Sequence, residues 1–155
     1  MTSTNMPAVN TLTGHCDCRR IRASLRTRRS ADACIPRACD CSFCSKHGAA
    51  WLSDPEGHLR IEAHTDDDLR RFRQGSETAD MLLCAHCGVL MAVVFAHEDG
   101  LFGAVNAGCI DDAVLAAPVV VSPQRLSAAE KTERWRRLWA RAEISPHHPS
   151  SAAVR

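Results

Sequence analysis

Cys39-Asp40-Cys41-Ser42-Phe43-Cys44 puts three thiols within six residues, and the use made of those thiols decides what fold the chain can adopt. A C-x-C pair, Cys16 and Cys18, precedes the run, and a C-x-x-C pair, Cys84 and Cys87, follows it, so seven of the nine cysteines stand in short-spaced groups. Groups of this spacing grip a soft metal ion, since each brings two or three thiolates into one coordination sphere. Two distant pairs supply four ligands and saturate a tetrahedral zinc. A triplet supplies three and leaves one position for water or substrate. Cys16, Cys18, Cys84 and Cys87 are therefore expected to hold a structural zinc, tying an early strand to a late hairpin. Cys39, Cys41 and Cys44 are expected to hold a second zinc, giving two per chain. His47, Cys34 and Cys109 are the residues that could close that second site.

Other uses of the cysteines fit less well. An iron–sulfur cluster would want a fourth thiolate at the triplet, and haem attachment needs a histidine where Ser45 and Gly88 stand. An odd number of cysteines in tight clusters, behind an N-terminus without a signal-like apolar stretch, argues for reduced thiols in a cytoplasmic compartment. Buried free cysteines packed as small apolar groups are the plainest competitor, and two separated pairs are hard to reconcile with it.

At 155 residues the chain has the size of one domain, and its net charge of +1 gives no general attraction to nucleic acid or to an acidic membrane. It has no tyrosine and few aromatics, too few for a base-stacking surface. No apolar run reaches the roughly 18 residues a membrane-spanning helix needs. The partners expected are small molecules, not nucleic acid and not membrane.

Along the chain, Ile21, Ala23 and Leu25 alternate with Arg20, Arg22, Ser24 and Arg26, the period of a half-buried strand. Gly14 is read as the residue that permits the tight backbone of the first C-x-C. Ser42 to His47 reads as a single helical turn stopped by Gly48, and the runs 78–83 and 89–95 as strands flanking a Cys84–Cys87 knuckle completed by Gly88. The N-terminal basic residues, Arg37 among them, are mostly a solvated face, with some available for substrate carboxylates. Ser127-Ala128-Ala129-Glu130 is a capping-box signature followed by Trp135, Leu138, Trp139 and Ala142 at helical spacing. An amphipathic helix is thus predicted over 127–143, packing on a mainly β domain spanning 10–122, with 1–9 and 145–155 disordered. Its apolar face is expected against the domain itself; a homodimer through that face is the alternative.

The order C-x-C, C-x-C-x-x-C, C-x-x-C-G resembles the glutathione-dependent formaldehyde-activating enzyme family, whose domain is shared with centromere protein V. Gly14-His15-Cys16-Asp17-Cys18, Cys39 to Lys46, Cys84-Ala85-His86-Cys87-Gly88 and the segment from Val105-Asn106 to Asp111 carry the resemblance. The Trp135-bearing segment does not resemble the family's usual C-terminus. The resemblance implies a β-tent fold of short antiparallel sheets, the structural zinc on Cys16, Cys18, Cys84 and Cys87, and a catalytic zinc on Cys39, Cys41 and Cys44. It also implies carbon–sulfur lyase chemistry: joining formaldehyde to glutathione, or another small thiol to an aldehyde, or the reverse. Asp40, Ser42, Lys46 and His47 are the polar neighbours available to manage protons. The competing class is a non-catalytic zinc module that recognises a partner, favoured if the triplet proves closed and buried.

Overall fold

The computed structural model describes residues 8–111 and 113–146, the side chain of Pro146 excepted. The segments 1–7 and 147–155, expected to be disordered, lie outside the described residues. The chain is mainly β. Among the described residues eleven strands join in one hydrogen-bonded sheet, with two α-helices: β1 (Asn10–His15), β2 (Ile21–Thr27), β3 (Arg37–Cys39), α1 (Ser42–His47), β4 (Ala50–Leu52), β5 (His58–Ala63), β6 (Leu69–Phe72), β7 (Asp80–Cys84), β8 (Leu90–His97), β9 (Gly100–Asn106), β10 (Val119–Val121), α2 (Ala128–Leu138) and β11 (Ala140–Pro146). None of these helices is long and apolar enough to cross a membrane.

The sheet has two leaves that share β9. One runs β1-β2-β5-β11-β9 and continues through β4 and β3 to β10; the other runs β6-β7-β8-β9. One edge of β9 pairs with β8 from Gly100 to Val105. Its other edge is divided between β11, at Phe102 and Gly103, and β4, at Val105 and Asn106. Most pairings are antiparallel, but β11 lies parallel to β5 and β10 parallel to β3.

The strands follow from their apolar patterning. In β2, Ile21, Ala23 and Leu25 are buried while Arg22, Ser24 and Arg26 are half-buried or exposed, the alternation of a strand with one face on the core. From Leu90 to Phe95, β8 is buried at every position, because it is covered on both faces. Two cores result. One gathers Leu12, Ile21, Leu25, Leu59, Ile61 and Met91; the other gathers Trp51, Phe95, Phe102 and Trp139.

The C-terminal segment differs from the helix expected to reach Glu143. Ser127 caps α2 through the reciprocal bonds of a capping box with Glu130. The helix ends at Leu138, Trp139 turns to extended geometry (ψ 149°), and the chain continues as a strand through Ser145 and Pro146. Residues 140–145 in fact alternate, with Ala140, Ala142 and Ile144 against Arg141, Glu143 and Ser145. A strand prevails there because β5 and β9 each present an unpaired edge to it, and buried backbone groups must find partners. Ser53 fixes the junction: its Oγ donates to the Gly103 carbonyl at 2.8 Å and accepts the Ala140 N–H at 2.7 Å. The apolar face of α2 packs on the domain itself. Trp139 is 5% exposed, stacks on Trp135 at 4.8 Å and meets Phe95 edge-on at 5.8 Å.

Gly14 has a different role from the one read in the sequence. The tight C-x-C backbone takes its positive φ at Arg19 (68°). Gly14 instead allows the turn at Ala107–Cys109 to approach: a Cβ there would stand 2.0 Å from the Cys109 carbonyl oxygen. That clash is with backbone, which cannot rotate away.

Two outcomes follow. A chain ending at Trp139 loses an interior strand and exposes two sheet edges; it is expected to lose near-ultraviolet circular dichroism and cooperative unfolding, and a truncation that unfolds cooperatively would contradict this topology. Gly14→Ala is expected to lower stability by about 3 kcal/mol, the upper end for overpacking, measured by urea unfolding.

Candidate metal centres

The first cysteine group is built from two turns at opposite ends of the chain's topology. Cys16 and Cys18 lie in the β1–β2 connection, where Arg19 N–H returns to the Cys16 carbonyl at 3.1 Å and Ile21 N–H donates to Cys16 Sγ at 3.3 Å. Cys84 and Cys87 lie in the β7–β8 connection. There Gly88, at φ 82°, sends its N–H to the Cys84 carbonyl at 2.9 Å, and Cys87 N–H donates to Cys84 Sγ at 3.4 Å. The tertiary fold brings these turns together. Cys16 and Cys18 Sγ are 3.7 Å apart, Cys18 and Cys84 Sγ are 3.6 Å apart, and all four sulfurs lie within 4.8 Å of one another.

This donor set fits a tetrahedral metal ion. Zinc–sulfur bonds of about 2.3 Å place tetrahedral sulfurs roughly 3.8 Å apart, close to the separations found. Without a cation the arrangement is electrostatically poor: burial pushes the Cys16 and Cys84 thiols up. Burial also acts to raise Cys87, but backbone N–H groups of Cys18 and Val89 and the neighbouring thiols outweigh it and bring Cys87 down to about 7. A divalent ion would relieve the crowding of thiolates that burial resists.

The second group is local. Cys39 ends β3, Cys41 caps α1, and Cys44 sits in its first turn. Cys41 Sγ accepts the Cys44 N–H at 3.4 Å, which holds the two sulfurs on one side of the turn. Gly48, at φ 61°, ends the helix and sends its N–H back to the Cys44 and Ser45 carbonyls, as the sequence suggests. The three sulfurs lie within 4.8 Å of one another. Donation from the Cys44 thiol lowers Cys39 to about 6 against the opposing effect of burial, with further help from Cys41. The same bond, together with burial, pushes Cys44 well up. The soft, clustered donors fit a metal.

Among the described residues no fourth histidine, cysteine or carboxylate joins the triplet. Cys34 and Cys109 pack in the other core; Cys109 donates to the Leu90 carbonyl at 3.4 Å, and burial raises it to about 11. His47 is exposed and rests its ring on Phe43 at 4.7 Å.

The triplet opens onto a cavity of about 340 Å³ enclosed by the second leaf, the loop 74–76, the segment 121–124 and α2. Gln74 Nε2 donates to Cys41 Sγ at 3.7 Å, and the Trp51 side chain hydrogen-bonds to Cys44. Of the polar neighbours named from sequence, Ser42 lines this cavity, whereas Asp40, Lys46 and His47 do not. Asp40 faces the β10 segment, accepting from Ser122 Oγ and, at 3.0 Å, from Gln124 Nε2. Of the N-terminal arginines only Arg37 reaches the cavity. Arg20 pairs with Asp68 at 3.3 Å and Arg29 with Asp54 at 3.6 Å, each supplying the counter-charge of a buried carboxylate.

Gln74, Trp51, Lys131 and Arg134 also line the cavity, and cysteine spacing gives no hint of them. A signal existed for two of them. Lys131, Arg134, Trp135 and Leu138 stand at i, i+3, i+4 and i+7 of α2, so they share the inward stripe.

The model of the glutathione-dependent formaldehyde-activating enzyme family matches residues 11–125. The chain belongs to that family. The matched region carries both cysteine groups and ends before α2 and β11. No functionally curated protein matches the chain. Among solved structures, a crystal structure of a Rhodobacter sphaeroides protein is similar at 20% identity and a TM-score of 0.51, covering 70% of this chain and all of that one. At that identity the likeness concerns the fold.

The two groups are expected to respond differently to mutation. Purified from zinc-replete cells, the protein should contain two zinc ions by elemental analysis. Cys84→Ser should unfold or aggregate it, since one anchor between distant turns is lost. Cys41→Ser should leave a folded domain with one zinc. Native-like circular dichroism for Cys84→Ser beside an unfolded Cys41→Ser would reverse the assignment.

Proposed function

We propose that the chain is a zinc-dependent carbon–sulfur lyase that joins a small thiol to an aldehyde or cleaves the adduct, with glutathione and formaldehyde as the family's pair. The observation that carries this reading is the contrast between the two cysteine groups. Cys16, Cys18, Cys84 and Cys87 are four donors tucked between turns, suited to a structural ion. Cys39, Cys41 and Cys44 are three donors on the wall of a protein-lined cavity of about 340 Å³. A partner-recognition module would have no use for that cavity beside an incomplete ligand set.

A zinc ion bound by the triplet would supply Lewis acidity and favour the thiolate form of a thiol substrate. The chain's own groups do the rest. The Gln74 amide and the Trp51 side chain hold Cys41 and Cys44 by hydrogen bonds, fixing the direction of the donor set, a role that supporting residues of metal sites commonly play. Met81, Val93, Trp51 and Trp139 give the cavity an apolar lining, which limits water at the reacting atoms and strengthens polar interactions there. Ser42, which lines the cavity, offers a hydroxyl that could pass a proton to or from the aldehyde oxygen. Reduced thiols in both groups suit a cytoplasmic setting.

The test is exchange spectroscopy by carbon-13 NMR on glutathione and labelled formaldehyde, with the zinc-replete protein in catalytic amount. Exchange between free and adducted formaldehyde should accelerate, and Cys41→Ser should return it to the protein-free rate. Gln74→Leu is expected to lower the acceleration by about tenfold, the low end for loss of a supporting hydrogen bond. Equal exchange with wild type, with Cys41→Ser and without protein would overturn the reading for this substrate pair.

A further inference from the structure

The wall of the cavity opposite the apolar strands is cationic. Arg37 from β3 and Lys131 and Arg134 from α2 all line it, and all three are half-buried. Among the described residues none of the three has a carboxylate within ion-pair distance, whereas Arg20, Arg22, Arg29, Arg60, Arg71, Arg73 and Arg136 each do. The charges acting on Arg37 are those of Arg134 and Arg29, both positive. The acid in the adjoining loop, Asp40, is already engaged by Ser122 and Gln124.

Half-buried like charges without a counterion are unfavourable, and nothing in the packing of α2 demands them. An amphipathic helix covering a core would place apolar residues along its whole inward stripe. Here the stripe is apolar only at Trp135 and Leu138, and its first turns present Lys131 and Arg134. Next to them Trp135 and Trp139 are stacked with their planes 10° apart. Trp135, itself half-buried, lines the cavity with one indole. Lys131, Arg134 and both indoles lie beyond the residues matched by the family model, so the chain's own C-terminal segment supplies this wall apart from Arg37.

We propose that the cavity selects an organic oxyanion with a flat apolar body, its charged head clamped by Arg37, Arg134 and Lys131 and its body laid along Trp135. Guanidinium forks match the planar or tetrahedral oxygens of carboxylate and phosphate, and an indole face suits an apolar or aromatic body. The proposal rests on the preceding reading only in placing the substrate's reacting end toward the cysteine triplet; the clamp is a matter of binding and needs no turnover. It makes α2 the specificity element of the site.

Calorimetric titration of the zinc-replete full chain tests it, with 2-naphthoate, 2-naphthyl phosphate and neutral 2-naphthamide as probes. At least one of the two anions should bind about tenfold more tightly than the amide, the size expected for a charge-assisted pair; which one distinguishes a carboxylate from a phosphate head. Arg134→Gln and Arg37→Gln should each remove most of that preference, and Lys131→Gln part of it. Arg137→Gln, exposed on the outer side of the same helix, should keep it. Cys41→Ser, lacking the second ion, should also keep it, so a failure of the metal reading leaves this result standing. The proposal is overturned if the amide binds as tightly as both anions, if no probe binds, if Arg37→Gln and Arg134→Gln preserve the preference, or if Cys41→Ser abolishes it.

Discussion

The structure depends on closing a ring. From β2 the hydrogen-bonded path runs through β5, β11, β9 and β8 to β7, and the sulfurs of Cys16, Cys18, Cys84 and Cys87 join its two ends. Each strand in that path leans on the next, and Asp68 adds a second link by pairing with Arg20 and accepting the Ala85 N–H at its carbonyl. A structural zinc there would contribute on the order of 10 kcal/mol to folding. This exceeds any single packing term, and is comparable with the whole stability of an ordinary domain.

The ring also explains why the C-terminal segment is indispensable. β11 enters between β5 and β9 and ties β1, β2 and β5 to β9, the strand the leaves share, with Ser53 fixing its first residue to β9. The same segment then performs a second task. Because Trp139 must be buried against Phe95 and Phe102 just before β11 begins, α2 is held over the triplet and becomes one wall of the cavity. Stability and the shape of the site are thus set by one stretch of chain.

The two cores divide the labour of the cysteines. Cys16, Cys18 and Cys84 are packed with Ile21, Leu59 and Met91, where little can move. Cys41 and Cys44 belong to the aromatic core, whose outer side is the cavity. The first set is built to stay closed, and the second faces a space that a small molecule can fill. That difference in surroundings, more than the ligand count alone, is what gives the triplet its proposed chemical role.

The sequence by itself determined much of what has local geometry, though not the positive φ of the first C-x-C turn, which falls on Arg19. The grouping of the thiols, the turn of α1 ended by Gly48, the knuckle completed by Gly88, the alternation in β2 and the capping box at Ser127 depend on neighbours a few residues away, and each is where its pattern places it. Only the tertiary structure decided the rest. Gly14 matters because a distant turn approaches it, and residues 140–146 form a strand because two remote edges need a partner. Gln74, Arg37, Lys131 and Arg134 meet around the triplet only once β3, the 74–76 loop and α2 are assembled. The physical reason is the same in each case: hydrogen-bond partners and like charges drawn from far along the chain leave no periodicity to read, and are fixed only when the sheet closes.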